Sequence, residues 1–255
     1  MNFILFDEHR EDLLPLSYTR PIAEFRCGIL TLKEKWEKRI PDGNFSFSTV
    51  DYLQVKYSLK HDAQKNIYLS GNLLSSDELV EWIHRLQNNQ CLVDNEGSVL
   101  AIRTEKELTY DNITADGFET VKFEGEAIKI NYMWDIFSLN ARELERDYEL
   151  ITKGRRSKPI DPSNQVFGDR IFLEEGAKVK AAILNSTTGP IYLGKNAEIM
   201  EGSVVRGGLA LCESSALKLS TKVYGATTVG PHSKIGGEVN NSVIFGYSNK
   251  GHDGF

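Results

Sequence analysis

Residues able to do chemistry are few in this chain and widely spaced. His252, within "GYSNKGHDGF" (246–255), carries an imidazole, a group able to take a proton from a nucleophile. On residue type alone it reads more readily as a solvent-exposed loop histidine, as does His232 in the turn-like "VGPHSK". The stretch "YTRPIAEFRCGILTLKEK" gathers Arg20, Arg26, Lys33 and Lys35. These serve either as a phosphate-binding set or as an ordinary charged loop and solvated helix face. Cys27, Cys91 and Cys212 lie far apart and form no CxxC pair, which fits reduced thiols better than a disulfide framework. The net charge of −6 argues against non-specific nucleic-acid binding, which needs a basic face. It leaves room for a local basic pocket that takes a phosphorylated small molecule.

The scaffold for these residues comes from two different textures. At 255 residues, 40% hydrophobic and 26% charged, the chain is long enough for two modest domains. No run approaches transmembrane length, and the apolar run before Asp7 is too short for a signal-peptide core, so a soluble cytoplasmic protein is expected. "NFILF" reads as a buried strand, and "GILTLKEKWEKRI" puts Ile29, Leu32, Trp36 and Ile40 on one helical stripe. In "NIYLSGNLLSSDELVEWIHRLQ", a strand over Ile67–Leu69 meets a turn at Gly71. Ser75 and Glu78 then stand at capping-box spacing before a helix carrying Leu79, Trp82, Ile83 and Leu86. "QCLVDNEGSVLAIR" predicts a hairpin around Asp94–Gly97, and "NARELERDYELI" a helix capped by Asn140 and Glu143. Strand–turn–helix order predicts an α/β layer domain over 1–155.

A basic, then proline-punctuated linker is expected over 156–170, followed by a repeat over 171–255. Aliphatic residues return every six positions at Leu193, Ile199, Val205, Leu211, Leu217, Val223, Val229 and Ile235. Small side chains follow four residues later at Ala197, Ser203, Ser215, Thr221, Thr227 and Ser233, while Leu209 breaks the pattern. Period six suits neither an isolated helix nor a simple hairpin; it suits three-sided coils stacked as parallel strands about 4.8 Å apart. Leu173–Ala177 and Val179 read as an earlier coil, with "LNSTTGP" as an irregular bridge.

This hexad resembles the hexapeptide-repeat acyltransferases, whose left-handed parallel β-helix is an exception to right-handed crossovers. An α/β domain ahead of it resembles the bifunctional N-acetylglucosamine-1-phosphate uridylyltransferase/glucosamine-1-phosphate acetyltransferase family. "IYLSGNLLSSDELVEWIHRLQ" is similar to that family's strand–Gly-Asp–loop–helix segment. "GYSNKGHDGF" is similar to its "GSKAGHLTY" segment, which carries the acetyl-transfer histidine. The resemblance implies a shortened, Rossmann-like nucleotidyltransferase-like domain followed by the left-handed β-helix, in a homotrimer serving nucleotide-sugar and cell-wall synthesis. It implies Mg²⁺, a nucleoside triphosphate, a sugar-1-phosphate and acetyl-coenzyme A as cofactor and substrates, with no nucleic-acid or membrane partner. His252 falls at the acetyl-transfer base and Arg20, in "YTRP", at the family arginine, while Arg26, Lys33 or Lys35 stand in for its lysine. Asn72 falls at the metal-binding aspartate, with Asn131 and Asp135 as candidates for the second metal position.

Departures are visible as well. The family's G-x-G-T-R loop is replaced by "FDEHREDLLPLSYTRP", which has no glycine. Its sugar-phosphate arginine and lysine fall near Tyr224 and near Asn240–Ser242, so Lys218, Lys222 and Arg206 are the replacements expected there. Nothing after Ile244 reads as a cap for bare strand edges, so a fragment lacking final coils is expected. Two rival readings are a single-activity acetyltransferase with a ligand-binding first domain and a non-catalytic trimeric scaffold. A β-helix carbonic anhydrase needs three converging histidines, and the coil region holds only His232 and His252.

Overall fold

Residues Asn2–Phe6 (β1) are buried along their whole length, as a strand with neighbours on both sides requires. The computed structural model describes residues 1–62 and 65–252. After β1 come α1 (Leu32–Arg39), β2 (Asn44–Ser48), the short α2 (Asp51–Gln54), β3 (Asn66–Ser70) and α3 (Asp77–Arg85). β4 (Gln90–Val93), β5 (Val99–Thr104) and β6 (Glu119–Lys122) complete a six-stranded sheet in the order β2-β1-β3-β5-β4-β6. β1 runs parallel to both β2 and β3, while β5 is antiparallel to β3 and β4. The expected hairpin around Asp94–Gly97 is thus β4–β5.

Period-two alternation divides this sheet's core. Phe3, Leu5, Ile67 and Leu69 face Trp36 and Ile40 of the first helical segment and Leu79 and Ile83 of α3. Ile4, Phe6 and Tyr68 point the other way, into a cluster with Cys91, Ile102, Leu108 and Phe118. The sheet therefore has two covered faces, the Rossmann-like arrangement.

The chain divides into two compact units, one of Met1–Phe25 with Thr31–Met133, the other of Arg26–Leu30 with everything from Trp134 on. Helix starts differ from the sequence reading. α1 begins at Leu32, because Thr31 forms the capping box with Glu34. α3 is capped by Ser76, whose hydroxyl accepts the Leu79 N–H at 3.1 Å, while Ser75 Oγ accepts from Arg39. In the second unit α4 (Met133–Ser138) precedes α5 (Asn140–Thr152), which has no side-chain cap. Asn140 is instead buried, its Oδ1 accepting the Gly28 N–H at 2.7 Å. Buried Asp147 accepts the N–H groups of Ile29 and Leu30 at 2.8 and 3.0 Å. A segment distant in sequence outcompeted the local cap.

Beyond α5 the fold is a left-handed β-helix of hexapeptide repeats, three all-parallel sheets of short strands. One face holds β7 (Gln165–Phe167), β10 (Ile183–Asn185), β13 (Val204–Arg206), β16 (Lys222–Tyr224) and β19 (Glu238–Asn240). The second holds β8 (Ile171–Leu173), β11 (Ile191–Leu193), β14 (Leu209–Leu211), β17 (Thr227–Val229) and β20 (Val243–Ile244). The third holds β9 (Lys178–Val179), β12 (Glu198–Ile199), β15 (Ala216–Leu217), β18 (Lys234–Ile235) and β21 (Asn249–Lys250). β7 lies inside the stretch read as a linker.

All eight aliphatic hexad residues are at most 2% exposed, and the six small ones are fully buried, so each coil side sends one large and one small side chain inward. Leu209, which breaks the sequence pattern, is buried too. Corners at Asn196, Ser214 and His232 share φ of 55–56°, the left-handed region that lets a flat coil turn. His232 stacks on Tyr247 with ring centroids 5.0 Å apart. Partners eighteen residues apart (Leu193, Leu211, Val229) give way to a shorter step from Val229 to Ile244, and Lys250 enters the column of Ile199, Leu217 and Ile235. Its ammonium donates to the carbonyls of Gly236 and His252 at 2.9 and 2.8 Å. No helix among the described residues is long and apolar enough to cross a membrane.

Two measurements probe this burial. Leu211→Ala should destabilise the β-helix by about 2–5 kcal/mol in denaturant unfolding, whereas Val204→Ala, on an exposed site of the first face, should cost under about 1 kcal/mol. All three thiols are buried, and burial pushes Cys91 up to about 12. Thiol titration at neutral pH should therefore count almost none in the native protein and three in denaturant.

Candidate functional site at the carboxyl edge of the sheet

The parallel strands β1 and β3 pair in register from Asn2↔Asn66 to Phe6↔Ser70, so their carboxyl ends stop side by side. Gly71 makes the next step possible: its N–H donates to the Phe6 carbonyl at 2.8 Å, and a Cβ there would meet that oxygen at 2.7 Å. With no room for any side chain, Asn72 emerges directly beside the end of β1. Ser70 Oγ lies 2.9 Å from Glu8 Oε2 and 2.6 Å from Asn72 Oδ1, and its hydroxyl donates to one of these at a time.

A second segment completes the site. Leu73 bridges antiparallel to Lys129, and the Ile130 N–H donates to the Asn72 carbonyl at 2.9 Å. Extended alternation buries Ile130 fully and turns Lys129 and Asn131 to the same side. Asn72 Nδ2 then donates to Asn131 Oδ1 at 3.1 Å. Lys129 is only 9% exposed; its ammonium sits 3.7 Å from Glu8 Oε2 and 3.5 Å from Asp94 Oδ2, and 3.5 Å from the Val99 carbonyl. Glu8, Asp94, Lys129 and Asn131 open onto a cleft of ≈ 560 Å³, lined also by His9, Asp12, Glu96, Glu126 and Tyr132, while Asn72 is fully buried behind them. Ligands of open α/β sheets bind in such crevices, outside the carboxyl ends of the strands.

The glycine-free loop after β1 is locked by charge. Arg10 is buried and donates to Asp7 at 3.0 Å, to the Ser17 carbonyl at 2.5 Å and to Tyr52 at 2.9 Å. Asp7 also accepts from Thr49 and from the Ile22 N–H at 2.8 Å. Burial pushes the Asp7 carboxyl above its usual value, against the downward pull of Thr49, the Ile22 N–H and Arg10. The lock holds His9 in the left-handed region (φ 53°), a conformation enriched at functional sites when a non-glycine residue adopts it.

The expected site residues divide. Asn72 and Asn131 are brought together; Asp135 lies on α4, in the other unit. Arg20, Lys33 and Lys35 belong to the first unit and Arg26 to the second, and none of them lines the cleft. Lys33 pairs with Glu37 at 2.6 Å; Lys35 is fully buried on the face of α1 that carries Leu32 and Trp36. Arg26 donates to the Ile29 carbonyl. Glu8, Asp94 and Lys129 escaped the sequence reading. The available signal was that Glu8 lies just past a buried strand and that Lys129 stands two residues before Asn131.

In the β-helix, Arg206, Lys222 and Tyr224 line a groove of ≈ 700 Å³ over β13 and β16, together with Val204 and Thr188. Tyr224 donates to Glu238, and that hydrogen bond raises its phenol above the usual value. Lys218 instead donates to the Gly251 carbonyl at 3.3 Å. His252 is exposed, with its carbonyl taken by Lys250, and residues 253–255 of its motif lie outside the described residues.

As donors for a hard divalent cation the residues present fit poorly: Glu8 opens into the cleft, but Asn72 is fully buried, its amide oxygen lies 2.6 Å from Ser70 Oγ, and the Asn131 amide oxygen accepts from Asn72. Among the described residues no group of three His, Cys, Asp or Glu forms a metal cage by itself.

Fold and site together define a Rossmann-like α/β domain with a polar cleft at its carboxyl edge, joined to a β-helix. Residues 3–156 match the family model for sugar nucleotidyl transferases, and the chain belongs to that family. It is also similar to the flagellar P-ring proteins of Pseudomonas paraeruginosa (strain DSM 24068 / PA7) and Pseudomonas aeruginosa (strains LESB58 and UCBPP-PA14). Each is 25% identical over 154 residues, which cover 54% of this chain and 41% of the relative. The chain thus spans less than half the length of these curated relatives, and an identity of 25% assigns it no activity.

The Asp7–Arg10 lock yields an outcome of its own. Arg10→Ala, which leaves the buried Asp7 carboxylate without its ion pair, should destabilise the first unit by about 3–5 kcal/mol in denaturant unfolding.

Proposed function

We propose that the first unit transfers a nucleotidyl group from a nucleoside triphosphate to a sugar-1-phosphate, of the uridine diphosphate N-acetylglucosamine type. The observation that carries this is the pairing of Asn72 with Asn131 at the carboxyl edge, in a chain whose residues 3–156 match sugar nucleotidyl transferases. In the reaction a phosphate oxygen of the sugar-1-phosphate attacks the α-phosphorus, the bond to the bridging α–β oxygen breaks, and pyrophosphate leaves. Asn72 and Asn131 stand at the metal positions the resemblance implies; to meet Mg²⁺, whose chemistry is to neutralise the developing phosphoryl charge, their mutual hydrogen bond would have to open. Buried Ser70 orients the Asn72 amide, and the Gly71 close approach fixes its position. Arg20, at the family arginine, would meet the triphosphate, with Arg26, Lys33 and Lys35 as further phosphate-binding candidates.

A second activity, coenzyme A-dependent N-acetylation of an amino-sugar phosphate, is favoured by the groove on the β-helix. Arg206 and Lys222 offer charge for a phosphate there, and Tyr224 a hydroxyl. Lys218, the fourth candidate, lies outside that groove. His252 would serve as general base. Exposed Val166, Phe167, Val204 and Tyr224 share the first face, which suits lateral association in a homotrimer. A chain with neither activity would be the trimeric scaffold.

Pyrophosphate release from UTP and N-acetylglucosamine-1-phosphate with Mg²⁺ tests the first activity. Asn72→Ala and Arg20→Ala should each lower kcat/KM by about 100-fold or more. Unchanged rates in both would remove the assignment. For the second, free thiol released from acetyl-coenzyme A in the presence of glucosamine-1-phosphate should fall at least about 100-fold in His252→Ala. No thiol with any amino-sugar phosphate would leave the scaffold reading.

A further inference from the structure

Two backbone hydrogen bonds, from the Leu74 N–H to the Ile128 carbonyl and from the Ile130 N–H to the Asn72 carbonyl, lay residues 128–130 along residues 72–74 at 2.9 Å each. Leu73 and Lys129 form the antiparallel bridge between them, and the Asn72 and Asn131 amides close the same seam at 3.1 Å. Both segments belong to the first unit. Asn72 presents no oxygen to the cleft. It is fully buried, with one end of its amide 2.6 Å from Ser70 Oγ and the other donating to Asn131. Turning the amide over would exchange its two ends and free neither.

The charges around the seam are engaged as well. Glu8 Oε2 meets Ser70 Oγ at 2.9 Å and the Lys129 ammonium at 3.7 Å, while its Oε1 lies 3.6 Å from His9 Nε2. Lys129 also faces Asp94 at 3.5 Å and the Val99 carbonyl at 3.5 Å. A carboxylate at position 72 would share the Ser70 hydroxyl with Glu8, and two carboxylates so close and so far from water call for a cation between them. The amide removes that call. Mg²⁺ asks for near-ideal octahedral oxygens at about 2.0–2.1 Å, and neither amide oxygen here is turned outward to supply one.

We propose that the Asn72–Asn131 pair is a metal-independent clasp. It joins the end of β3 to the 128–131 segment where the resemblance implies a divalent cation, so the first unit keeps no resident metal at this edge. Both amides are then positioning residues: by holding residues 128–131 they fix where Lys129 stands beside Glu8 and Asp94. The inference rests on the nucleotidyl-transfer reading for the place of these two residues, and takes from that reading a cation held by the protein itself. Its physical basis is that a hydrogen bond between two neutral groups needs no ion, and that a buried amide with both ends engaged leaves no polar atom orphaned.

The test uses the full chain and Mn²⁺ alone as probe, with no turnover required. The wild-type Tm should move by less than about 1 °C between EDTA and added Mn²⁺, because an ion that does not bind the native state cannot stabilise it. Asn131→Ala, at an exposed position, leaves the buried Asn72 N–H group without its acceptor. Its Tm should fall by about 2–4 °C, equally in EDTA and in Mn²⁺. Asn72→Asp combined with Asn131→Asp restores carboxylates and should gain Mn²⁺ affinity about tenfold or more, read by electron paramagnetic resonance of the free ion. If that double variant does not fold, the EDTA comparison of wild type with Asn131→Ala decides alone. A wild-type Tm lowered by EDTA, wild-type Mn²⁺ binding that Asn131→Ala weakens, or a folded double variant with no gain would each overturn the clasp. Melting indifferent to the ion, together with no pyrophosphate from UTP and N-acetylglucosamine-1-phosphate, would sink nucleotidyl transfer and leave the clasp. Turnover with Mn²⁺ binding lost in Asn131→Ala would do the reverse.

Discussion

The in-register parallel pairing of two fully buried strands, β1 and β3, is the constraint on which the cleft depends. Parallel strands end together, and the backbone segments leaving them must then diverge or touch. Here they touch, because Gly71 lets the backbone after β3 hydrogen-bond to the last carbonyl of β1. Glu8, Ser70 and Asn72 are brought within hydrogen-bonding distance by backbone geometry before any side chain chooses a rotamer. A one-residue slip would turn Ser70 to the opposite face of the sheet and away from Glu8.

The loop after β1 departs from the glycine-rich design that holds phosphate near a strand end. Glycine-rich loops present backbone N–H groups to the ligand. This chain has no glycine there; it folds the loop around a buried guanidinium, with Arg10 tying Asp7, Ser17 and Tyr52 together. Such a loop is rigid but offers fewer free donors, and it exposes acidic groups to the cleft. Glu8, Asp12, Asp94, Glu96 and Glu126 give the cleft a negative field that Lys129 only partly offsets, so a polyanion entering it would need accompanying cations.

The second unit solves a different problem. Its coils need a dry triangular interior, and hexads of one aliphatic and one small residue fill it. Charge and aromatic groups are thereby driven to the outside, where Arg206, Lys222 and Tyr224 share a groove. The segment Arg26–Leu30 is held within the same unit by Asn140, Asp147 and Thr228. An acidic side chain buried against backbone N–H groups is stabilised by accepting them, which explains why Asp147 tolerates being 1% exposed.

Periodicity made the β-helix legible in sequence, because a six-residue repeat of inward side chains is a local property that survives without knowledge of partners. Strand and helix existence in the first domain was legible for the same reason. Asn72 was named in sequence by its offset from a strand, and Asn131 only as one of two candidates near "NYMWDIF". Tertiary structure alone decided that these two amides meet, that Glu8 and Lys129 join them, and that Asn140 satisfies a glycine far away instead of capping its own helix. Those outcomes depend on strand register and on contacts between segments separated by 59 to 121 residues. No local pattern encodes such distances; they arise only when burial of apolar faces fixes which strand ends lie side by side.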